Sequence, residues 1–142
     1  TIYGNAANGH QYENGVPFIS NRWYHMAYVR ASGTTKMYVD GVEKKSLSDT
    51  YNYSSNQSIG IGSYIAGSNK NFLGTIYGLR VVKGTAVYTS NNFTVPTTDL
   101  TAITNTKFLQ STSASAVTDS SSSSHSITVS GNGVTYVKDS PF

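Results

Sequence analysis

Tyrosine and asparagine side chains that suit carbohydrate binding concentrate in two polar segments of the chain. The first, 49–57, reads DTYNYSSNQ, and the second covers 64–71. Tyrosine offers a flat apolar face with a hydroxyl, and asparagine offers paired donors and acceptors, whereas a sugar presents apolar ring faces and hydroxyls together. An alternative is that the tyrosines only cover the ends of a sheet structure. The candidate carbohydrate-binding residues are Tyr51, Asn52, Tyr53, Asn56, Tyr64, Asn69 and Asn71.

Calcium binding has weaker support in the sequence. The ion takes about six to eight oxygen ligands from carboxylates, carbonyls and waters. Asp49 supplies one carboxylate beside Asn52 and Asn56, and Asp119 supplies one beside several serine hydroxyls. One carboxylate in each cluster is few for such a site. The sequence therefore favours no metal and no other cofactor, with Asp49 and Asp119 as weak calcium candidates.

The carboxylates are too dispersed to predict glycoside hydrolysis. Such enzymes pair two carboxyl groups across the scissile bond, but no two of the seven Asp and Glu residues are closer than three positions, and Asp40 falls in a predicted turn. The chain has no cysteine, which excludes a thiol nucleophile, a disulfide and a cysteine-ligated metal. Neither a G-x-S-x-G motif nor a P-loop is present. The sequence predicts no catalytic residues and a protein that is not an enzyme.

The charge pattern argues against nucleic-acid binding. The net charge is +3, and the ten Lys and Arg residues are spread along the chain, with only Lys44 and Lys45 adjacent. Nucleic-acid-binding domains concentrate basic residues in a patch or stripe. No apolar run approaches the roughly 18 residues of a membrane span, so we expect no membrane insertion. The chain starts at Thr1 without an initiator Met, and we expect it to be a piece of a longer polypeptide.

The elements that must carry the candidate residues are predicted to be short strands. Residues 23–30, WYHMAYVR, form the clearest one. Runs 36–39 and 42–47 flank Asp40-Gly41, and Asp-Gly between two such runs predicts a two-residue hairpin turn. No 3.6-residue periodicity extends over ten residues, so no helix is predicted.

Further strands are predicted along the rest of the chain. Residues 58–62 indicate a short strand, and 72–82 indicate one long strand or two. Residues 107–110 form another, and a second hairpin is expected within 126–137. The serine-rich stretch 111–124 is predicted to be a loop or linker. The predicted core consists of Trp23, Ala27, Val29, Val39, Ile59, Ile61, Leu79 and Val81.

Trp23 and His25 each allow a structural and a functional interpretation. Trp23 is the single tryptophan, and its aromatic surface suits core packing better than sugar stacking, which is the alternative. His25 lies on the same side of the predicted strand. A packed or hydrogen-bonded histidine is favoured over a metal ligand or a general base.

The order of these motifs resembles a known family. W-Y-H-M-A-Y-V-R at 23–30 and K-M-Y-V-D-G at 36–41 are similar to the core of laminin-G-like, concanavalin A-like lectin domains. I-G-I-G-S at 59–63 and F-L-G-T-I-Y-G-L-R-V-V-K-G at 72–84 continue the pattern in order. The resemblance implies an all-β fold, an antiparallel two-sheet jelly-roll sandwich.

A finer resemblance concerns bacteriophage proteins. The stretch 84–89, GTAVYT, with 93–96, FTVP, and 100–106, LTAITNT, is similar to domains of virion tail-fibre or appendage proteins. The family's usual first strands have no clear counterpart in this chain. We therefore expect residues 1–106 to form a sandwich that lacks them. Residues 107–142, the serine-rich segment and C-terminal hairpin, are expected to complete it or to start a next module.

The resemblance implies a non-catalytic virion module that binds glycans on a host cell surface. An alternative is a purely structural virion part, a capsid decoration or fibre segment, that binds only protein neighbours. A third is a glycoside hydrolase. The expected partners are a cell-surface glycan or virion proteins, with a homotrimer as one possible assembly. The expected location is the virion or the extracellular space.

Overall fold

The computed structural model describes residues 2–3, 11–12, 18–53, 59–62, 72–112, 116–129, 135–137 and 140–142. In this part of the chain every regular element is a β-strand and none is a helix, which confirms the predicted all-β class. The chain divides into two compact units. The first contains Thr1–Tyr51 and Ala86–Val95, and the second contains Asn52–Thr85 and Pro96–Phe142.

The first unit contains two antiparallel sheets within the described residues. Strands β1 (Ile2–Tyr3) and β2 (Gln11–Tyr12) form a two-stranded sheet. Strands β3 (Met26–Ala31), β4 (Thr34–Val39) and β5 (Val42–Ser48) form a three-stranded sheet in that order. The second sheet contains the longest strands of this unit, and it carries the unit's buried apolar side chains among the described residues.

Two hairpin turns connect β3, β4 and β5. Asp40 and Gly41 have φ values of 50° and 76°, and Val39 pairs with Val42. Ser32 and Gly33, at 48° and 72°, make the same kind of turn before Thr34. Positive φ at both central residues is the geometry that matches the twist of the flanking strands. The structure confirms the predicted hairpin at Asp40-Gly41.

The core of the first unit lies along β4. Met37, Tyr38 and Val39 are buried, and Tyr38 has no exposed surface. Successive residues of a strand point to opposite faces of the sheet, so the burial of three consecutive residues shows that both faces of β4 are covered here. The register with β5 shifts between Met37 and Tyr38, which pair with Lys45 and Glu43, so the extra residue lies on β5. Of the residues predicted for the core, Val39 is buried, and Trp23, Ala27 and Val29 are half-buried.

The second unit contains an antiparallel sheet of β6 (Arg80–Val82), β7 (Thr106–Thr112) and β8 (Val117–Asp119), in that order. Arg80 pairs with Leu109, so the prediction that 107–110 pairs with residues between 20 and 90 is confirmed. Leu109 is buried, and Leu79 and Val81 are half-buried.

The prediction that 111–124 is a loop was wrong in part. Residues 111–112 extend β7, and 117–119 form β8 on its other side. Strand pairing uses backbone groups that every residue except proline supplies, so a serine-rich composition does not prevent it. The predicted second hairpin is not confirmed either, because residues 126–129 and 135–137 are not strands, and 130–134 lie outside the described residues.

The predictions for 58–62 and 72–82 also need correction. Residues 59–62 are not a strand, and Ile59 and Ile61 are 73% and 43% exposed rather than buried. Only Arg80–Val82 of the second range is a strand. Gly62 has φ of 75°, which is incompatible with an extended strand. Its carbonyl accepts a hydrogen bond from the Phe72 N–H at 2.7 Å, so the two segments meet side by side without forming strands.

Candidate functional site

The described part of the candidate sugar-binding segment is Tyr51-Asn52-Tyr53, three residues after the end of β5. Arg30, near the end of β3, reaches across to this segment. Its Nη2 donates to the carbonyl oxygens of Asp49, at 3.0 Å, and Tyr51, at 2.8 Å, and its Nε donates to the Asp49 carbonyl at 3.2 Å. One guanidinium therefore holds two carbonyls of the segment in place.

Asp49 fixes the start of the same segment from the inside of the protein. Its side chain is buried, at 2% exposure, and its carboxylate accepts hydrogen bonds from the Thr35 hydroxyl at 2.7 Å and from the Tyr51 N–H at 3.2 Å. Arg30 Nε lies 3.4 Å from Asp49 Oδ2. The hydrogen bonds and the guanidinium offset the high cost of burying this carboxylate, so Asp49 has a structural role here.

The segment presents its outer residues to solvent. Asn52 is exposed, Tyr53 is 45% exposed and Tyr51 is half-buried. An aromatic ring and an amide therefore lie within four positions of Asp49 in the sequence. The other candidates lie outside the described residues: Asn56, Tyr64, Asn69 and Asn71.

Asp119 is held in a similar way in the second unit. Its carboxylate accepts hydrogen bonds from the N–H groups of Leu109 at 3.0 Å, Ser121 at 2.9 Å and His125 at 2.9 Å. Partial burial by itself raises the pKa of Asp119. The backbone donors and the Ser121 hydroxyl outweigh burial and hold that pKa well below its usual range.

The hydrogen bonds described above surround these two carboxylates with donors, and Asp49 also lies beside the Arg30 guanidinium. A calcium ion instead takes acceptor oxygens as ligands. In the part of the chain that the structure describes, no group of three or more His, Cys, Asp and Glu residues is arranged to hold a metal.

The remaining described carboxylates are also engaged. Asp40 pairs with Arg22 at 2.9 Å. Glu43 lies 2.8 Å from Lys36 Nζ, and Asp99 accepts from the Tyr77 hydroxyl at 2.6 Å. Together with Asp49 and Asp119, these are five carboxylates, and each stabilises a turn, a strand pair or a loop. Glu13 and Asp139 lie outside the described residues.

An aromatic cluster that sequence analysis missed lies beside β4. Tyr88 and Phe93 stack with ring centroids 3.6 Å apart, and Phe93 meets Tyr38 and His25 edge-on at 5.2 and 5.5 Å. His25 is half-buried in this cluster, which agrees with the packing interpretation over a catalytic one. Within the segment 86–95, the sequence indicated only a short turn of helix or an edge strand near 85–88, and neither predicts these ring contacts.

Arg30 is the other residue that sequence analysis missed. It is the last residue of the WYHMAYVR motif. Its position near the end of a strand was the only feature of the sequence that could have indicated a role in holding a loop. Its hydrogen bonds go to the backbone carbonyls of Asp49 and Tyr51. Every residue type has such a carbonyl, so the sequence does not indicate these bonds.

Comparison with known proteins decides the family. A laminin G model described as "Concanavalin A-like lectin/glucanases superfamily" matches residues 1–87 of the 142. The chain belongs to this superfamily. The match and the antiparallel sheets together confirm the predicted fold class. Searches of curated proteins and of solved structures gave no match.

Membership of the concanavalin A-like superfamily indicates a carbohydrate-binding or a structural role. The matched range includes the residues before the WYHMAYVR motif and also the segment Tyr51–Tyr53. Among the described residues, no helix is both long enough and apolar enough to cross a bilayer.

Proposed function

We propose that this concanavalin A-like domain binds carbohydrate through the segment that contains Tyr51, Asn52 and Tyr53. The observation that carries the proposal is the anchoring of this segment by Arg30 and buried Asp49. Rigid positioning before binding removes part of the entropic cost of ordering a loop around a ligand. Asn52 and Tyr53 then offer an amide and an aromatic face at low cost.

A glycan array probed with the intact domain tests the proposal. We expect Tyr53→Ala and Asn52→Ala to lose most of the signal, and Ser46→Ala, an exposed residue on β5, to retain it. Tyr53→Phe separates the ring from the hydroxyl, because it keeps the apolar face. Circular dichroism melts must show that the variants fold. Full binding by folded Tyr53→Ala and Asn52→Ala would refute the assignment to this segment.

We further propose that the domain is non-catalytic and works without a metal. The support is the engagement of Asp40, Glu43, Asp49, Asp99 and Asp119 in structural contacts. The low pKa of Asp119 is also the opposite of what a general acid needs. The array signal should be the same with and without a chelator, and bound oligosaccharides should be recovered uncut by mass spectrometry.

The biological setting that we propose is a virion fibre or appendage that meets glycans on a host cell. The support is the resemblance of 84–89 and 93–96 to bacteriophage virion domains, described above. Immunogold labelling of particles that contain the full-length polypeptide tests this location. Sedimentation of the intact polypeptide tests the proposed trimer.

A second candidate, a structural part that binds protein neighbours, is favoured by a different surface. Ile59, Phe72 and Leu73 are 73%, 59% and 94% exposed, and the Phe72–Gly62 hydrogen bond brings their segments together. Exposed apolar side chains in neighbouring segments are typical of protein contacts. If this function holds, Leu73→Ser should reduce concentration-dependent association in sedimentation velocity, and the glycan array should stay blank.

A further inference from the structure

A depression of about 210 Å³ lies on the second unit. Its lining is mainly polar, with groups from Tyr77, Asp99, Gln110 and Ser120, and Leu100 and Leu109 add a smaller apolar part. Small-molecule sites combine a few converging polar groups with apolar surface.

The backbone around the depression is fixed by Gln110 on β7. The Gln110 N–H donates to the Leu79 carbonyl at 2.8 Å, and its side-chain Oε1 accepts from the Leu79 N–H at 3.3 Å. Its Nε2 donates to the Ile76 carbonyl at 3.4 Å. These bonds hold 76–79 against β7, so the position of Tyr77 is set by the sheet.

Tyr77 and Asp99 form a pair at this site. The phenol donates to Asp99 Oδ1 at 2.6 Å, and this hydrogen bond raises the pKa of Tyr77, so the hydroxyl stays protonated. Phe142 packs edge-on against the Tyr77 ring at 6.3 Å, which restrains the ring plane. Asp99 is exposed, and a carboxylate accepts about four hydrogen bonds. It therefore has acceptor capacity beyond the one bond from Tyr77.

We propose that this depression is a second carbohydrate subsite that takes a single neutral sugar ring. Asp99 accepts hydrogen bonds from adjacent sugar hydroxyls, and the Ser120 hydroxyl oxygen, whose proton is donated to the Leu109 carbonyl, accepts another at the edge. Leu100 and the Tyr77 ring supply a small apolar surface for the ring carbons. This inference rests on the proposed carbohydrate-binding function and assigns it a second location and a sugar class.

Size and charge set the specificity. Pockets that enclose drug-sized ligands have volumes of about 300–1,000 Å³, so 210 Å³ leaves room for one sugar ring rather than an oligosaccharide. Among the described residues that line the depression, Asp99 is the only charged one. Its carboxylate repels uronic and sialic acids, which carry the same sign. A small ligand with few contacts should bind weakly, in the millimolar range.

Amide chemical-shift titration by NMR tests the subsite with defined probes. The probes are the methyl glycosides of glucose, galactose and mannose, with glucuronic acid and N-acetylneuraminic acid as charged comparisons. We expect a neutral glycoside to shift the amides of Leu109, Gln110 and Ser120, and the acids to shift them far less. Asp99→Asn should weaken binding about tenfold through loss of the charge-assisted hydrogen bond. Tyr77→Phe should weaken it less.

Controls separate this inference from the proposed function. Thr97→Ala, two residues from Asp99 and exposed, should leave the titration unchanged, and so should Tyr53→Ala. If array glycans shift the amide signals of residues 51–53 but no neutral sugar shifts those of 109–120, the site at Tyr51–Tyr53 is supported and the subsite is refuted. Unchanged binding by folded Asp99→Asn, or equal binding of the acidic sugars, also overturns it. If no sugar produces shifts in either region, both proposals fail.

Discussion

In the first unit, β3, β4 and β5 form a sheet of six- and seven-residue strands, whereas the second unit pairs the seven-residue β7 with two strands of three residues. The first unit satisfies its backbone mainly by strand pairing and packs its side chains around Tyr38. In the second, where the strands are short, side chains such as Asp119 and Gln110 also accept hydrogen bonds from backbone N–H groups.

This difference has consequences for mutation. Ladder hydrogen bonds do not depend on side-chain identity, so the first unit should be sensitive to volume and backbone conformation. A region held by carboxylate and amide side chains should be sensitive to polar substitutions and to pH. The predictions below test that contrast.

The largest effect is expected for Tyr38→Ala. Tyr38 has no exposed surface, and its hydroxyl donates to the Ser90 carbonyl at 2.9 Å. Truncation of a buried aromatic side chain costs about 3–5 kcal/mol. Tyr38→Phe keeps the ring and should cost about 1 kcal/mol for the lost hydrogen bond. Urea unfolding followed by fluorescence measures both, and equal losses for the two variants would argue against a packing role.

A smaller but still large effect is expected for Gly41→Ala. A Cβ at this position would collide with the Phe93 carbonyl oxygen, and φ is already 76°. Positive φ alone costs about 1–2 kcal/mol for a residue with a side chain, and the collision adds to it.

Gly33→Ala is the matched control for Gly41→Ala. Its φ is 72°, but the nearest atom would be the Thr50 methyl at 3.8 Å. It should therefore lose only the conformational part of the free energy of unfolding. Similar losses at both glycines would show that Phe93 does not approach Gly41 closely.

In the second unit, Asp119→Ala should change the pH dependence of stability. Because the pKa of Asp119 is lower in the folded state than its ordinary 3.8, the unfolded state binds the proton more readily. The stabilising contribution is present above about pH 4 and is lost as pH falls through the folded-state pKa. Wild type and Asp119→Ala should differ most at neutral pH and converge in acid.

Thermal melts between pH 2 and pH 7 measure the effect of Asp119→Ala. Asp119→Asn retains one acceptor oxygen and should lie between wild type and Asp119→Ala. Thr118→Ala, an exposed neighbour on β8, should behave as wild type. A constant difference across the whole pH range would mean that the carboxylate charge is not responsible.

The smallest effect is expected for Asp40→Asn in the first unit. The Arg22–Asp40 pair is exposed, at 55% and 36% of the side-chain surfaces, and exposed ion pairs contribute about 0–1 kcal/mol. Asparagine also tolerates the positive φ of this turn and can accept the bond from the His25 N–H. A loss well above 1 kcal/mol would show that the first unit also depends on a polar side chain.

The sequence by itself determined the features that depend on local backbone preference. Asp40 and Gly41 fit positive φ, and the alternating runs beside them pair as predicted. The residue order of WYHMAYVR and KMYVDG also indicated the family. Such features are predictable because neighbouring residues fix them.

The tertiary structure alone decided the rest. Tyr38 packs against Phe93, and the Tyr51 carbonyl is held by Arg30, 21 positions earlier in the chain. The strand at 117–119 forms because β7 offers it unpaired backbone groups, although its own composition favours a loop. Ile59 and Ile61 remain exposed because Gly62 bends the chain away from an extended strand. These outcomes follow from contacts between distant residues, and no local pattern encodes which distant partner a residue meets.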